Sequence, residues 1–240
     1  MRSVLTLFFI VIAQTACAAD WWVQPYGALS VLPEQAAESS LTISGQAGGN
    51  RRSPMPSIES GTGGGLILAA IPEHGKGTFG LDLEFISGSE SMTATLADAE
   101  LGAPIFDTST SAFAVSAFMS GRIPMLSSDS FATALGGAIG FFRSSQDLDL
   151  TFRQRNIDPE TEETTIVDVA EATSTSSSTV FISIFVTEDV RLTDRFGLMA
   201  TAGYRGVPSK GVSFATESMT GSFKPDFAGP YVRLGLKYDL

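Results

Sequence analysis

The sequence predicts an all-β fold, an eight-stranded antiparallel up-and-down β-barrel. Three observations predict it. Past residue 20, apolar residues recur with a period of two rather than the helical spacing of about 3.6. The connections between the alternating stretches are short and long in turn. Within several stretches, large apolar residues take one face while glycine, alanine and a few charges take the other.

The bulk composition agrees. Of 240 residues, 43% are hydrophobic and only 17% charged, against roughly 25% charged in a typical soluble domain. The net charge of −11 and the lack of any basic block exclude a nucleic-acid partner. The chain opens "MRSVLTLFFIVIAQTACAAD", with basic Arg2, an apolar run from Val4 to Ala13, and small Ala16, Ala18 and Ala19 before Asp20. That pattern reads as a secretory signal peptide over 1–19, cut after Ala18 or Ala19, which leaves 20–240 as the barrel domain. Its apolar run is too short to span a bilayer as a helix. The rival is a lipoprotein cut that places a lipid on Cys17, but Gln14 and Thr15 stand where that motif wants aliphatic and small residues. With the ordinary cut the only cysteine leaves with the signal, so the mature chain carries neither thiol nor disulfide.

Eight strands follow in order. "WWVQPYGALSVL" (21–32) is the first, then "GTGGGLILAAI" (61–71) and "TFGLDLEFISG" (78–88) across the turn "PEHGKG". "SAFAVSAFMSGRI" (111–123) and "FATALGGAIGFFRSS" (131–145) are joined by "PMLSSDS". "SSTVFISIFVTEDV" (177–190) and "RFGLMATAGYRGV" (195–207) flank "RLTD", and "GPYVRLGLKYDL" (229–240) closes the set. Each is near the nine to eleven or so residues that a tilted strand needs to cross a membrane. The long connections, roughly 33–60, 89–110, 146–176 and 208–226, carry "SGQAGGNRRSPMPS", "NIDPETEETT" and the low-complexity "TSTSSST" (173–179), which feeds the sixth strand. These compositions predict solvent-facing loops without a core. Short turns at one rim and long loops at the other are the plan of outer-membrane barrels, with both termini at the short-turn rim.

Chemistry assigns the faces. In 78–88, Phe79, Leu81, Leu83 and Phe85 oppose Gly80, Asp82, Glu84 and Ile86. In 131–145, Phe131, Leu135, Ile139 and Phe141 oppose Ala132, Ala134, Gly136, Ala138 and Gly140. In 195–207, Phe196, Leu198, Ala200, Ala202 and Tyr204 oppose Gly197, Met199, Thr201, Gly203 and Arg205. In the last strand, Val232, Leu234, Leu236, Tyr238 and Leu240 oppose Tyr231, Arg233, Gly235, Lys237 and Asp239. A lipocalin-like soluble barrel would turn the apolar face inward and show many Lys, Glu and Thr residues to water. Here the polar face is crowded with Gly and Ala, which suit a narrow lumen. The apolar face is therefore expected to meet lipid. Inside, Asp82 and Glu84 are expected to pair with Arg205, Arg233 and Lys237, because an unpaired charge there would cost several kcal/mol. Trp21, Trp22, Tyr26, Phe196, Tyr204 and Tyr238 lie near strand ends, as an interfacial aromatic girdle would, or else serve as core residues.

Signal peptide, eight amphipathic strands, alternating loops and a strand-final end together resemble the OmpA/OmpX-type and opacity-type outer-membrane β-barrels of Gram-negative bacteria. The sharpest part is the end: Arg233, Gly235, Tyr238 and Leu240 match the spacing of that family's C-terminal insertion signal, with Leu240 where Phe or Trp is usual. The resemblance implies a monomer exported through the periplasm to the outer membrane. Its implied partners are periplasmic chaperones, the barrel-insertion machinery, outer-membrane lipid and lipopolysaccharide. An extracellular ligand is expected at the loops.

No catalytic or cofactor chemistry is predicted. The only histidine, His74, sits in a short turn, and a turn histidine reads first as a solvated residue. Without a second histidine or a mature cysteine, a metal site has no donors of that kind. "GTGGG" (61–65) neither opens a helix nor carries a lysine, so it reads as curvature or close packing rather than a phosphate loop. "DPETEE" defines no ligand spacing for a divalent cation bridging lipopolysaccharide phosphates, and "NRR" (50–52) has only general affinity for anions. The reading is a structural anchor and surface-loop interaction protein, adhesin- or opacity-like, without a general diffusion pore. Two alternatives stay open: a narrow pore or small hydrophobic-solute carrier, and a lipid-modifying enzyme that would need His74 as its base.

Overall fold

The computed structural model describes residues 19–31, 40–43, 51–54, 60–72, 77–93, 104–128, 130–157, 160, 162–208, 212–216, 219–223 and 227–240. The signal segment ahead of Ala19, Cys17 and His74 lie outside the described residues. The strands are β1 (Ala19–Val31), β2 (Ser40–Ile43), β3 (Arg51–Pro54), β4 (Ser60–Pro72), β5 (Gly77–Thr93) and β6 (Ile105–Arg122), then β7 (Phe131–Ile157), β8 (Thr164–Arg191), β9 (Phe196–Gly206), β10 (Val212–Ala215), β11 (Met219–Phe223) and β12 (Gly229–Asp239).

Eight of them close a ring in the order β1-β12-β9-β8-β7-β6-β5-β4, every neighbour antiparallel. They are the eight stretches read from the alternation. Closure falls between the first and last strands, Val23 opposite Tyr238 and Leu29 opposite Val232, and it removes the free edges that an open sheet would leave.

The long connections depart from the expectation of bare loops. The 146–176 connection is mostly strand: β7 and β8 run on as one hairpin, paired from Phe131–Val190 to Ile157–Thr164. β5 and β6 likewise pair out to Thr93–Ile105. Connections 33–60 and 208–226 hold β2, β3, β10 and β11, which form a separate four-stranded sheet in the order β10-β11-β2-β3. The physical reason lies in "DLDLTF": Leu148, Leu150 and Phe152 alternate with polar neighbours and are buried, so this segment has an apolar face of its own. Opposite them lie Thr173, Glu171 and Val169, and "TSTSSST" (173–179) pairs with Phe142 to Leu148, so its backbone groups are satisfied by the β7 ladder.

The outer wall of the barrel is apolar. Leu81, Leu83, Ile139, Phe141, Ile182 and Ile184 are exposed on it. On β9 the band runs from Phe196 to Tyr204, roughly 26 Å along the strand and about 20 Å along the axis at a usual tilt of ~40°. The girdle expectation divides. Phe196 and Tyr204 are exposed on the outer face, and the Phe196 ring packs on Tyr238 at 5.0 Å between centroids. Trp22 and Tyr26 face inward instead, at 4% and 7% exposure. Their parity is that of Gln24, also buried, and a strand turns residues two apart to the same side.

The inward glycines make room for inward aromatics. Gly203 lies opposite Tyr231 and Gly140 opposite Phe181, while Tyr26 has Gly235 on one side and Gly65 of "GTGGG" on the other. A Cβ on Gly203 would stand 2.7 Å from the Tyr231 ring and from the Ile184 carbonyl. Large rings therefore lie over bare backbone on the next strand, a packing that a narrow barrel needs. Gly203→Val is expected to lower stability by about 1–3 kcal/mol through overpacking. Urea titration of the refolded barrel, followed by its heat-modified gel mobility, checks this.

Candidate functional site

The barrel lumen gathers the charges. β5 alternates Leu81, Asp82, Leu83, Glu84 and Phe85, and the period of two sends both carboxylates inward while the apolar residues go outward. β9 and β12 do the same with Arg205 and Arg233. Since β9 stands diametrically across the ring from β5, Arg205 spans the lumen and donates from Nη2 to Glu84 Oε2. Arg233 donates to the same Glu84 oxygen at 2.9 Å and from Nη1 to Asp82 Oδ2 at 2.8 Å. The Tyr26 hydroxyl donates to Asp82 Oδ1 at 2.7 Å.

All four charged side chains are buried, so this is a complete two-plus-two charge set away from bulk water. Burial makes such pairs costly to assemble and costlier to break. Aromatic faces supplement the ion pairs. The Arg233 guanidinium lies 4.8 Å from the Tyr26 ring centre and 4.7 Å from that of Tyr231. Arg205 lies 5.1 Å from Tyr231 and 5.5 Å from Phe181. Each such contact adds about 0.5–2 kcal/mol.

Lys237, expected in the same network, stands apart. It pairs with Asp189 Oδ2 at 3.0 Å and Asp239 Oδ1 at 3.4 Å, and its ammonium lies 5.5 Å from the Trp22 ring centre. The structure thus brings together Asp82, Glu84, Arg205 and Arg233 and places Lys237 nearer the short-turn rim. Sequence reasoning missed Tyr26, Tyr231 and Asp189 as partners. The alternation of the last strand already sets Tyr231 on the inward face with Arg233, and parity with Gln24 and Thr187 is the signal that places Tyr26 and Asp189 inside as well.

The network divides the lumen. On its long-connection side, Ile86, Phe142, Phe181, Val207 and Phe227 form a buried apolar layer. On the other side lies a cavity of about 870 Å³ that runs to the short-turn rim, with Trp22, Ile67, Phe118, Phe185, Met199 and Lys237 in its wall. No group of three or more His, Cys, Asp or Glu side chains suited to a metal ion occurs among the described residues.

The residues matched to an insertion signal have separate surroundings. Arg233 is held by the carboxylates and Gly235 lies opposite Tyr26. Tyr238 packs on Phe196, and the Leu240 backbone N–H donates to the Trp21 carbonyl at 2.9 Å. The acidic 156–165 segment and the "NRR" stretch are only partly described. Arg51 and Arg52 pair with β2 through their backbones.

No protein-family model matches the chain and no curated protein matches it. Solved structures similar to it include Neisserial surface protein A, 10% identical across 92% of this chain and 97% of that one, TM-score 0.44. The outer membrane protein OprG from Pseudomonas aeruginosa is 13% identical across 93% and 96%, TM-score 0.47. Ail, the attachment invasion locus protein of Yersinia pestis, is 12% identical across 93% and 99%, TM-score 0.37.

Proposed function

We propose that this chain is an integral β-barrel of the bacterial outer membrane that anchors a surface-exposed β-sheet for interaction outside the cell. The closed ring with an apolar outer wall and charges paired inside is the observation that carries this reading, since only lipid suits such a wall. The signal peptide over 1–19 supplies export, and the Arg233, Gly235, Tyr238 and Leu240 set serves recognition by the insertion machinery. The β5–β8 strands continue past the apolar band and are the part offered to a partner. Outer-membrane fractionation with protease shaving of intact cells tests it. Cleavage is expected in the long connections of intact cells, and a soluble periplasmic chain would overturn the reading.

The lumen is proposed to be closed to general diffusion, because the Asp82–Arg233–Glu84–Arg205 network and the Phe142–Phe181–Phe227 layer fill its cross-section. Planar-bilayer recordings are expected to show no large, stable conductance. The cavity at the short-turn rim favours one second reading, binding or passage of a small solute. Solute flux into protein-loaded vesicles above the lipid background would support it.

A further inference from the structure

The cavity on the short-turn side of the charge network has a patterned wall. On β6 the inward residues Ser116, Phe118 and Ser120 alternate hydroxyl and ring, and on β8 Phe181, Ser183 and Phe185 alternate in the opposite phase. Between them β7 turns only small residues inward. The register sets Ser116, Gly140 and Phe181 in one row, Phe118, Ala138 and Ser183 in the next, and Ser120, Gly136 and Phe185 in the third. Ring and hydroxyl therefore change sides at every row across a strip of bare wall. The Phe185 ring lies over Gly136, where a Cβ would overlap it, and Phe118 meets Phe185 edge to face at 6.1 Å between centroids. Trp22 and Met199 extend the apolar wall toward the mouth.

The hydroxyls of this wall have no partner within the protein. Ser116, Ser120, Ser183 and Thr201 all line the cavity and are 4%, 8%, 7% and 4% exposed. None of the four hydroxyls hydrogen-bonds to a described residue. The cations of the wall are engaged. Lys237 is held by Asp189 and Asp239, Arg191 by Asp194, Arg233 by Asp82 and Glu84, and Arg122 by the Ser128 carbonyl. Of the carboxylate side chains in the wall, only Asp20, exposed at the mouth, carries no ion pair among the described residues.

We propose that this cavity binds a neutral saccharide of one or two rings, which enters and leaves at the short-turn rim. The proposal rests on the second reading above, in which the cavity takes a small solute, and it names the class of that solute. A sugar ring carries C–H groups on its faces and hydroxyls around its edge. It therefore needs flat apolar plates beside groups that both donate and accept, and each row of the wall supplies one of each. Neighbouring strands are about 4.8 Å apart, so the β6 and β8 backbones that carry the hydroxyls stand about 10 Å apart across β7. An apolar solute would strip water from the four hydroxyls and give them nothing in return, at a cost for each. A charged solute would lose its own water and find the buried counter-ions already paired. With the far end filled by the charge network, the ligand is held rather than passed across the membrane.

Trp22 reports occupancy. The full mature chain with Trp21→Phe keeps Trp22 as its single tryptophan. It is refolded in phosphatidylcholine bicelles, which leave both rims open, and titrated with glucose, maltose, glucosamine, glucuronate or cyclohexanol. Glucose and maltose are expected to shift the Trp22 emission saturably, with millimolar midpoints. Glucosamine, glucuronate and cyclohexanol are expected to bind about tenfold more weakly. The combined Ser116→Ala and Ser183→Ala variant is expected to lose about tenfold in saccharide affinity. Its heat-modified mobility should match wild type, because neither hydroxyl bonds within the protein. Saturation-transfer difference NMR on the maltose protons repeats the measurement without reliance on Trp22. Absence of saccharide binding by both methods overturns the proposal. So does a double serine variant that binds as wild type does, or a charged analogue that binds as tightly as glucose. Cyclohexanol binding without saccharide binding sinks this proposal alone, and a cavity that takes none of the five solutes sinks the small-solute reading with it.

Discussion

Glu84→Ala is expected to destabilise the folded barrel by about 3–5 kcal/mol, the usual consequence of stripping one partner from a buried ion set. Glu84 is the carboxylate that both Arg205 and Arg233 reach. Its loss strands Arg205 across a buried lumen and leaves Arg233 with Asp82 alone. Asp82→Ala is expected to cost less, because Arg233 loses one of its two carboxylates but keeps Glu84, and the Tyr26 hydroxyl loses its acceptor. The double replacement Glu84→Ala with Arg205→Ala is expected to be milder than the sum of the two single changes, since it removes both members of one pair. Urea-dependent unfolding in vesicles, followed by electrophoretic mobility, measures the wild type, the three single variants and the double variant. Equal stability of wild type and Glu84→Ala would show that the network fills space without holding the barrel together.

Ile139→Arg is expected to cost about 2–4 kcal/mol in a bilayer, the penalty for a cation near the lipid midplane. Ile139 lies well within the apolar band, its side chain 60% exposed on the outer wall. The change separates the two barrels that an apolar-and-polar strand pattern allows. On a soluble barrel an exposed surface position tolerates most residues within about 0.5 kcal/mol. On the proposed membrane barrel the exposed side meets hydrocarbon, so the same substitution should block insertion or lower the unfolding midpoint sharply. The control is Ser109→Arg, on the same outward face above the band, which is expected to leave stability nearly unchanged. If both variants insert and unfold as wild type does, the outer wall does not face lipid.

The strand set was legible because period-two alternation is a local property, and each barrel strand carries enough of it to declare both faces. "TFGLDLEFISG" assigns Asp82 and Glu84 to the interior without reference to any other segment. The long connections were misread for a related reason. "TSTSSST" feeds the sixth barrel strand as expected, but the 164–172 stretch before it is held as strand by pairing with 149–157 of β7, and composition alone suggested a loop. Trp22 and Tyr26 were drawn toward the rim by their residue type, whereas the parity shared with Gln24 turns them inward.

By itself, the sequence determined the all-β class, the eight barrel strands, which face of each carries lipid-compatible residues, and that opposite charges share an interior. Only the tertiary structure decided which charges meet. Partners across a barrel are set by strand order and register, and these place Arg205 opposite Glu84 while holding Lys237 lower, beside Asp189. Register also decided that the serines and rings of β6 and β8 alternate across the small residues of β7. A strand's own alternation says which way a side chain points, and only the neighbouring strands determine what it points at.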